Sequence, residues 1–162
     1  MGLDMYLYKR TYVSDYKRVD KGSPFAKKMT VKITREFENG DKDEETLDVP
    51  YQSGVYIERN AIYWRKANAI HRWFVEEVQN GVDDCGDYNV SADQLKVLLL
   101  KCEKVLKDKN SAPSILPTQD GFFFGDTNYN DSYFEVIEYT VKKLKELDLD
   151  NSKDDYTYHS SW

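Results

Sequence analysis

Between Tyr63 and Gly86 the chain reads Tyr-Trp-Arg-Lys-Ala-Asn-Ala-Ile-His-Arg-Trp-Phe and, a few residues on, Gly-Val-Asp-Asp-Cys-Gly. On a helix, Trp64, Asn68 and His71 would fall at i, i+4 and i+7 and share a stripe, with Arg65 and Arg72 seven apart on another face. Such a stripe is a binding platform. An indole stacks on a flat ring, Asn68 and His71 supply hydrogen bonds, and an arginine neutralises a phosphate. That chemistry suits a nucleotide or a cyclic nucleotide-like signal. The competing reading widens the core stripe with Trp64, makes His71 a satisfied boundary residue and leaves the arginines solvated.

Asp83, Asp84, Cys85 and Asp87 follow in a loop. Paired carboxylates can hold a hard cation, but the spacing of a calcium loop is missing. A hydrogen-bonding role for one of them, holding the loop or orienting Arg65, is favoured over metal binding. Cys85 would need a base to become a nucleophile, and its acidic neighbours oppose the thiolate. Asp120 to Asn130 contains Gly-Phe-Phe-Phe-Gly, in which Phe122 and Phe124 are expected on one face of a buried strand. Phe123 would then line a cleft from the other face, with the glycines permitting close backbone approach. The segment lacks the ending of a phosphate loop. The candidate ligand-binding set is therefore Trp64, Arg65, Asn68, His71, Arg72, Asp84 and Phe123, with no metal, cofactor or catalytic residue assigned.

The elements that must position these residues follow from periodicity. Leu3, Met5 and Leu7 alternate with polar and tyrosine positions, so residues 3 to 13 read as a strand with one buried face. Residues 14 to 27 read as a loop. A second strand runs through Met29, Val31 and Ile33 to Phe37, and Asn39-Gly40 marks a hairpin turn. The return strand, Glu44 to Val49, is expected to turn Leu47 and Val49 to the core. A short strand follows from Gly54 to Arg59 through Val55 and Ile57. Asn60 then caps a helix with the apolar stripe Tyr63, Ala67, Ile70, Phe74 and Val78, ended at Asn80-Gly81. A second helix opens at the Ser-Ala-Asp-Gln capping box from Ser91, and its face is Leu95, Leu98, Leu99, Cys102, Val105 and Leu106. A third, capped by Asp131 or Ser132, buries Val136, Ile137, Thr140, Val141 and Leu144. Residues 148 to 155 read as a mobile polar segment, and Tyr156, Tyr158 and Trp162 as an edge strand. The expected fold is a single α+β domain over residues 1–162, a mostly antiparallel sheet packed with about three helices.

At 162 residues the chain is long enough to bury a core without a metal or disulfide. Its 40% hydrophobic and 32% charged residues are a globular balance. The 13 tyrosines suit half-buried strands and binding surfaces alike. A net charge of -6 disfavours nucleic acid as a partner. Cys85 and Cys102 are the only cysteines, with no metal-type spacing, which points to a reducing cytoplasm. Neither a secretion signal nor a membrane span is expected.

Taken together, the blocks Met-Gly-Leu-Asp-Met-Tyr-Leu at 1–7, Tyr-Trp-Arg-Lys-Ala-Asn at 63–68, Gly-Val-Asp-Asp-Cys-Gly at 81–86 and Gly-Phe-Phe-Phe-Gly at 121–125 are informative. With them the chain resembles a family of small, uncharacterised bacteriophage and prophage proteins. The resemblance implies a phage-encoded protein acting in the cytoplasm of an infected bacterium, and it carries no catalytic residue or cofactor. The leading expectation is a non-enzymatic binding protein that counters host defence by sequestering a nucleotide-type signalling molecule. The alternative is an inhibitor that uses acidic surface and exposed tyrosines to occlude a basic site on a host protein. A small metal-assisted hydrolase using Asp83, Asp84 and His71 ranks third.

Overall fold

The computed structural model describes residues 2–13, 28–37, 39–50 and 55–162. The expected loop over 14–27, the strand start at Gly54 and the side chains of Met29, Val31, Val49 and Val55 lie outside the described residues. Among the described residues there are two sheets, one of four strands and one of two, accompanied by helices in an α+β arrangement. The strands are β1 (Asp4–Val13), β2 (Lys28–Glu36), β3 (Lys42–Pro50), β4 (Val55–Arg65), β5 (Asp87–Val90) and β6 (Asp154–Ser161). The helices are α1 (Asn68–Glu77), α2 (Ala92–Lys107), the short α3 (Ala112–Ile115) and α4 (Asp131–Lys145). Internal contacts divide the chain into two compact units, one of Met1–Thr11 with Glu58–Trp162 and one of Tyr12–Ile57.

In the smaller unit β2 and β3 form an antiparallel hairpin, its turn closed by Phe37 N–H donating to Asp41 O and Gly40 N–H donating to Phe37 O, each at 2.9 Å. Gly40 has φ 86, the left-handed conformation that explains a glycine there. Arg35 reaches across to both Asp43 and Glu45 at 2.7 Å. Leu47, expected on the core side, is 51% exposed.

In the larger unit the strand order is β4-β1-β6-β5, and the sheet is antiparallel. β6 pairs on one side with β1, from Asp4↔Ser161 to Thr11↔Asp154, and on the other with β5. The terminal strand is therefore central, not an edge. Its alternation explains why: Tyr156, Tyr158 and Ser160 are all buried, so one face is core throughout. Leu3, Met5, Leu7, Ile62, Trp64 and Val90 join them in the same core, which the helices complete with Ile70, Phe74, Leu95, Leu98, Cys102, Ile137 and Leu144. The ring of Phe74 stacks on that of Tyr158, 3.9 Å between centroids and 6° from parallel.

α2 starts as its sequence requires. Ser91 Oγ accepts from Gln94 N–H at 3.1 Å and Gln94 Oε1 accepts from Ser91 N–H at 2.9 Å, closing the capping box. α4 is capped by Asn130, whose side chain accepts from Tyr133 N–H at 3.2 Å, one residue before the expected caps. Residues 148 to 153 form turns, with Asp154 N–H donating to Asn151 O at 3.1 Å and Lys96 bonded to Asp150 at 2.8 Å. Asp154 itself opens β6.

The largest departure from expectation lies at 55–65. This segment is one long strand, and the helix begins at Asn68 and not after Asn60. The segment Val-Tyr-Ile-Glu-Arg-Asn-Ala-Ile-Tyr-Trp-Arg is rich in β-branched and aromatic residues, and Ile62 and Trp64 are buried while Tyr63 and Arg65 are exposed. Lys66 then takes φ 55 and donates its N–H to Leu3 O at 2.7 Å, which ends the pairing and redirects the chain into α1.

Candidate functional site

Because Trp64 sits on β4 and Asn68 and His71 on α1, the helical stripe does not form. Trp64 is 2% exposed. Its indole N–H donates to Thr140 Oγ1 at 2.9 Å, and its ring meets Phe74 edge-on at 5.9 Å. A ring covered on these sides has no free face for a ligand, so its role is corrected to a core anchor between β4 and α4.

Asn68 is buried and ties the 119–126 segment to the start of α1. Its Nδ2 donates to Phe124 O at 3.2 Å and Asp126 O at 2.8 Å, while its Oδ1 accepts from Gln119 N–H at 3.3 Å. His71 is fully buried, with Nδ1 2.7 Å from the Tyr158 hydroxyl and Nε2 3.0 Å from Asp83 Oδ2. With Asp83 ionised, Nε2 carries the proton and Nδ1 accepts from Tyr158. Burial pushes the imidazole below its ordinary value, and the bonded Asp83 carboxylate works in the opposite direction. Both ring nitrogens are thus committed, which leaves His71 no lone pair to serve Cys85 as a base.

Asp84 holds its own loop, accepting from Gly86 N–H at 2.9 Å and the Tyr88 hydroxyl at 3.0 Å. Cys85 between them has φ 57, and burial, with help from Asp83 and Asp84, raises its thiol. Cys102 is buried on α2 and pushed up to about 12, chiefly by burial. Both cysteines are free thiols. Among the described residues no cluster of three or more histidine, cysteine or carboxylate groups is placed to hold a metal, and no helix is long and apolar enough to cross a membrane.

Arg72 lies at the surface, bonded to Glu76 at 2.7 Å and to Thr118 O at 3.2 Å. The Gly-Phe-Phe-Phe-Gly segment is a turn and not a strand, so its three rings diverge. Phe122 is 95% exposed, Phe124 is buried, and Phe123 packs against the core while its carbonyl accepts from Leu3 N–H at 3.1 Å. Gly121 is the residue this turn requires, since a Cβ there would come 2.6 Å from the Phe124 ring.

Of the candidate residues, the structure brings Arg65 and Asn68 to one cleft. Its volume is about 220 Å³. Arg65, Lys66 and the first residues of α1 form one wall, Gly125 to Asn130 a second, and Tyr133, Val136 and Ile137 of α4 an apolar floor. Lys66 and the α4 residues carry no mark of this cleft in the sequence. The N-cap of α1 is Ala67, which has no side chain to bond the first-turn amides. The N-terminal end of the helix dipole therefore faces the cleft together with two cations. The one carboxylate on the lining, Asp126, is occupied within its loop. It accepts from Asn128 N–H at 3.0 Å and from the Asn128 and Asn130 side-chain amides, both at 2.5 Å. Arg65 is 4.0 Å from Asp4, with 61% of its side chain exposed.

Comparison with known proteins adds no relative: no protein-family model, curated protein or solved structure matches the chain. The fold and the cleft together define an α+β protein with a small polar-walled, apolar-floored site.

Proposed function

We propose that the chain is a phage-encoded, cytosolic binding protein that counters host defence by sequestering a nucleotide-type signalling molecule, held in the cleft at the start of α1. The observation that carries this reading is Lys66. A non-glycine residue at φ 55 stands between Arg65 and an uncapped helix start, at the mouth of an apolar-floored cleft. Left-handed backbone costs a lysine roughly 1–2 kcal/mol, and such outliers gather where a side chain must be aimed. The cations and helix amides would take a phosphate, and Tyr133, Val136 and Ile137 would take the flat apolar part of the ligand. About 220 Å³ is below the roughly 300–1,000 Å³ usual for drug-sized ligands, so a bound nucleotide would leave one end in solvent.

The reading is tested by purifying the protein from cells with an active defence system and identifying the small molecules it releases on denaturation. An intact nucleotide, recovered in proportion to protein, is the expected result. Release of only hydrolysed products would point to an enzyme instead.

A further inference from the structure

The larger unit has a second feature that the cleft does not use, on the face of its sheet opposite the core. There the strands align a row of side chains. Tyr63 of β4 lies against Tyr6 of β1, with ring centroids 5.2 Å apart. Tyr6 is the cross-strand partner of His159 on β6, at 6.2 Å between rings, and His159 is in turn the partner of Asp87 on β5. Tyr8 stacks on Tyr6 at 5.9 Å, 10° from parallel. One contiguous aromatic row therefore crosses the sheet, and Tyr63 is 40% exposed.

Carboxylates flank the row. Asp4 accepts a hydrogen bond from the Tyr63 hydroxyl at one end. At the other, Asp87 Oδ1 is 3.0 Å from His159 Nδ1, with its side chain 74% exposed. No hydrogen bond is formed there: His159 Nδ1 has no hydrogen-bond partner among the described residues. Burial lifts the Tyr8 hydroxyl above its ordinary value, and the charges of Asp87 and Glu58 are near enough to lift it further. Of the cations, Arg10 faces Asp155 in the strand register and Arg65 stands beside Asp4. Electron-rich ring faces with carboxylates at their margins attract guanidinium and ammonium groups and repel phosphates.

We propose that this row, Tyr63–Tyr6–His159 with Asp4 and Asp87 at its ends, is a docking surface for an arginine- or lysine-rich segment of a partner protein. The aliphatic stems and planar heads of such side chains lie on the tyrosine rings, and the carboxylates at either end pair with the charge. Lys66 and the start of α1 do not belong to this surface, and the cleft residue Arg65 meets it only beside Asp4.

The test uses the full chain and a short oligoarginine peptide, with a single-stranded oligonucleotide as the competing probe. Binding is followed by fluorescence anisotropy and mapped by amide chemical shifts. The Tyr6→Ser/Tyr63→Ser variant leaves net charge unchanged, so diffuse attraction by an acidic protein survives it. Losing two ring contacts should weaken oligoarginine binding by about tenfold or more. Shifts should concentrate on β1, β4 and β6 around the row, and this mapping stands on the wild-type protein even where the double variant folds poorly. Asp4→Asn/Asp87→Asn should weaken binding as well. Absence of oligoarginine binding, equal binding by the tyrosine variant, shifts elsewhere, or preference for the oligonucleotide would each overturn the proposal.

Discussion

His71 Nε2 and Asp83 Oδ2 are 3.0 Å apart, and this contact fastens the loop after α1 to the core of the sheet through Tyr158. The second oxygen of Asp83 is buried without a hydrogen-bond partner among the described residues. The arrangement fixes the loop at the cost of one incompletely solvated carboxylate oxygen. Replacing His71 with Ala would orphan both the Tyr158 hydroxyl and Asp83. Each buried group left unpaired costs about 1–3 kcal/mol, so urea unfolding should register a large loss for the variant. Asp83→Asn keeps an acceptor for Nε2–H and should lose about 1 kcal/mol. A His71→Ala protein as stable as the wild type would mean that the network is not formed in solution.

The same contact predicts a pH dependence. The folded His71 value is held below the unfolded value of about 6.5, so between them the unfolded chain binds the extra proton. Stability is then complete above about pH 6.5 and falls as the pH drops toward the folded value. Asp154 adds a separate loss at lower pH. Burial raises it, but bonds from Lys9 and Thr11 outweigh that and hold it below the ordinary carboxylate value. Its contribution disappears as the pH falls below about 4. Chemical denaturation across the pH range should show the upper slope in the wild type and a flattened one in His71→Gln.

Trp64 and Thr140 provide a double-mutant test of the corrected role of the tryptophan. Trp64→Phe loses the 2.9 Å bond and should cost about 1 kcal/mol plus a packing term. Thr140→Val orphans the indole N–H, at about 1–3 kcal/mol. Their effects should be less than additive, because both remove the same bond. Full additivity in denaturant titrations would remove the bond from the account.

How much of this was legible in the sequence varies with the signal. The capping box at Ser91 and the Asn39-Gly40 hairpin are local chemistry, and local chemistry decided both elements. Residues 60 to 67 read as a helix because Tyr63, Ala67 and Ile70 fit its stripe, yet Ile62 and Trp64 fit a strand as well. What settled the matter is pairing with β1 and the left-handed turn at Lys66, and neither leaves a mark in spacing. The density of β-branched and aromatic residues from Val55 to Trp64 was the available clue. Of the candidate site residues, Arg65 and Asn68 line the cleft, whereas its floor from α4 comes from residues some 65 positions away that only the fold brings near. The burial of His71 was likewise invisible, since Tyr158 and Asp83 meet it from separate elements.

Asn68 offers a test of the segment that walls the cleft. Its side chain bonds the backbone at Gln119, Phe124 and Asp126. Asn68→Ala should therefore lower stability by about 1–3 kcal/mol and speed amide exchange in residues 119–126 before the rest of the chain. Uniform acceleration would show that the segment is held by something else.

Lys66 separates stability from binding. Lys66→Gly relieves the left-handed backbone and should raise stability by up to about 1 kcal/mol. It also removes one of the cleft's cations. The most direct test of the proposed function is the thermal melting of wild-type and Lys66→Gly proteins across mono-, di- and cyclic nucleotides. Binding only to the folded state adds about 2.7 kcal/mol at a hundredfold excess over Kd. At least one nucleotide should raise the wild-type midpoint, and raise that of the more stable variant much less. Unmoved curves across the panel, or equal shifts in both proteins, would contradict it.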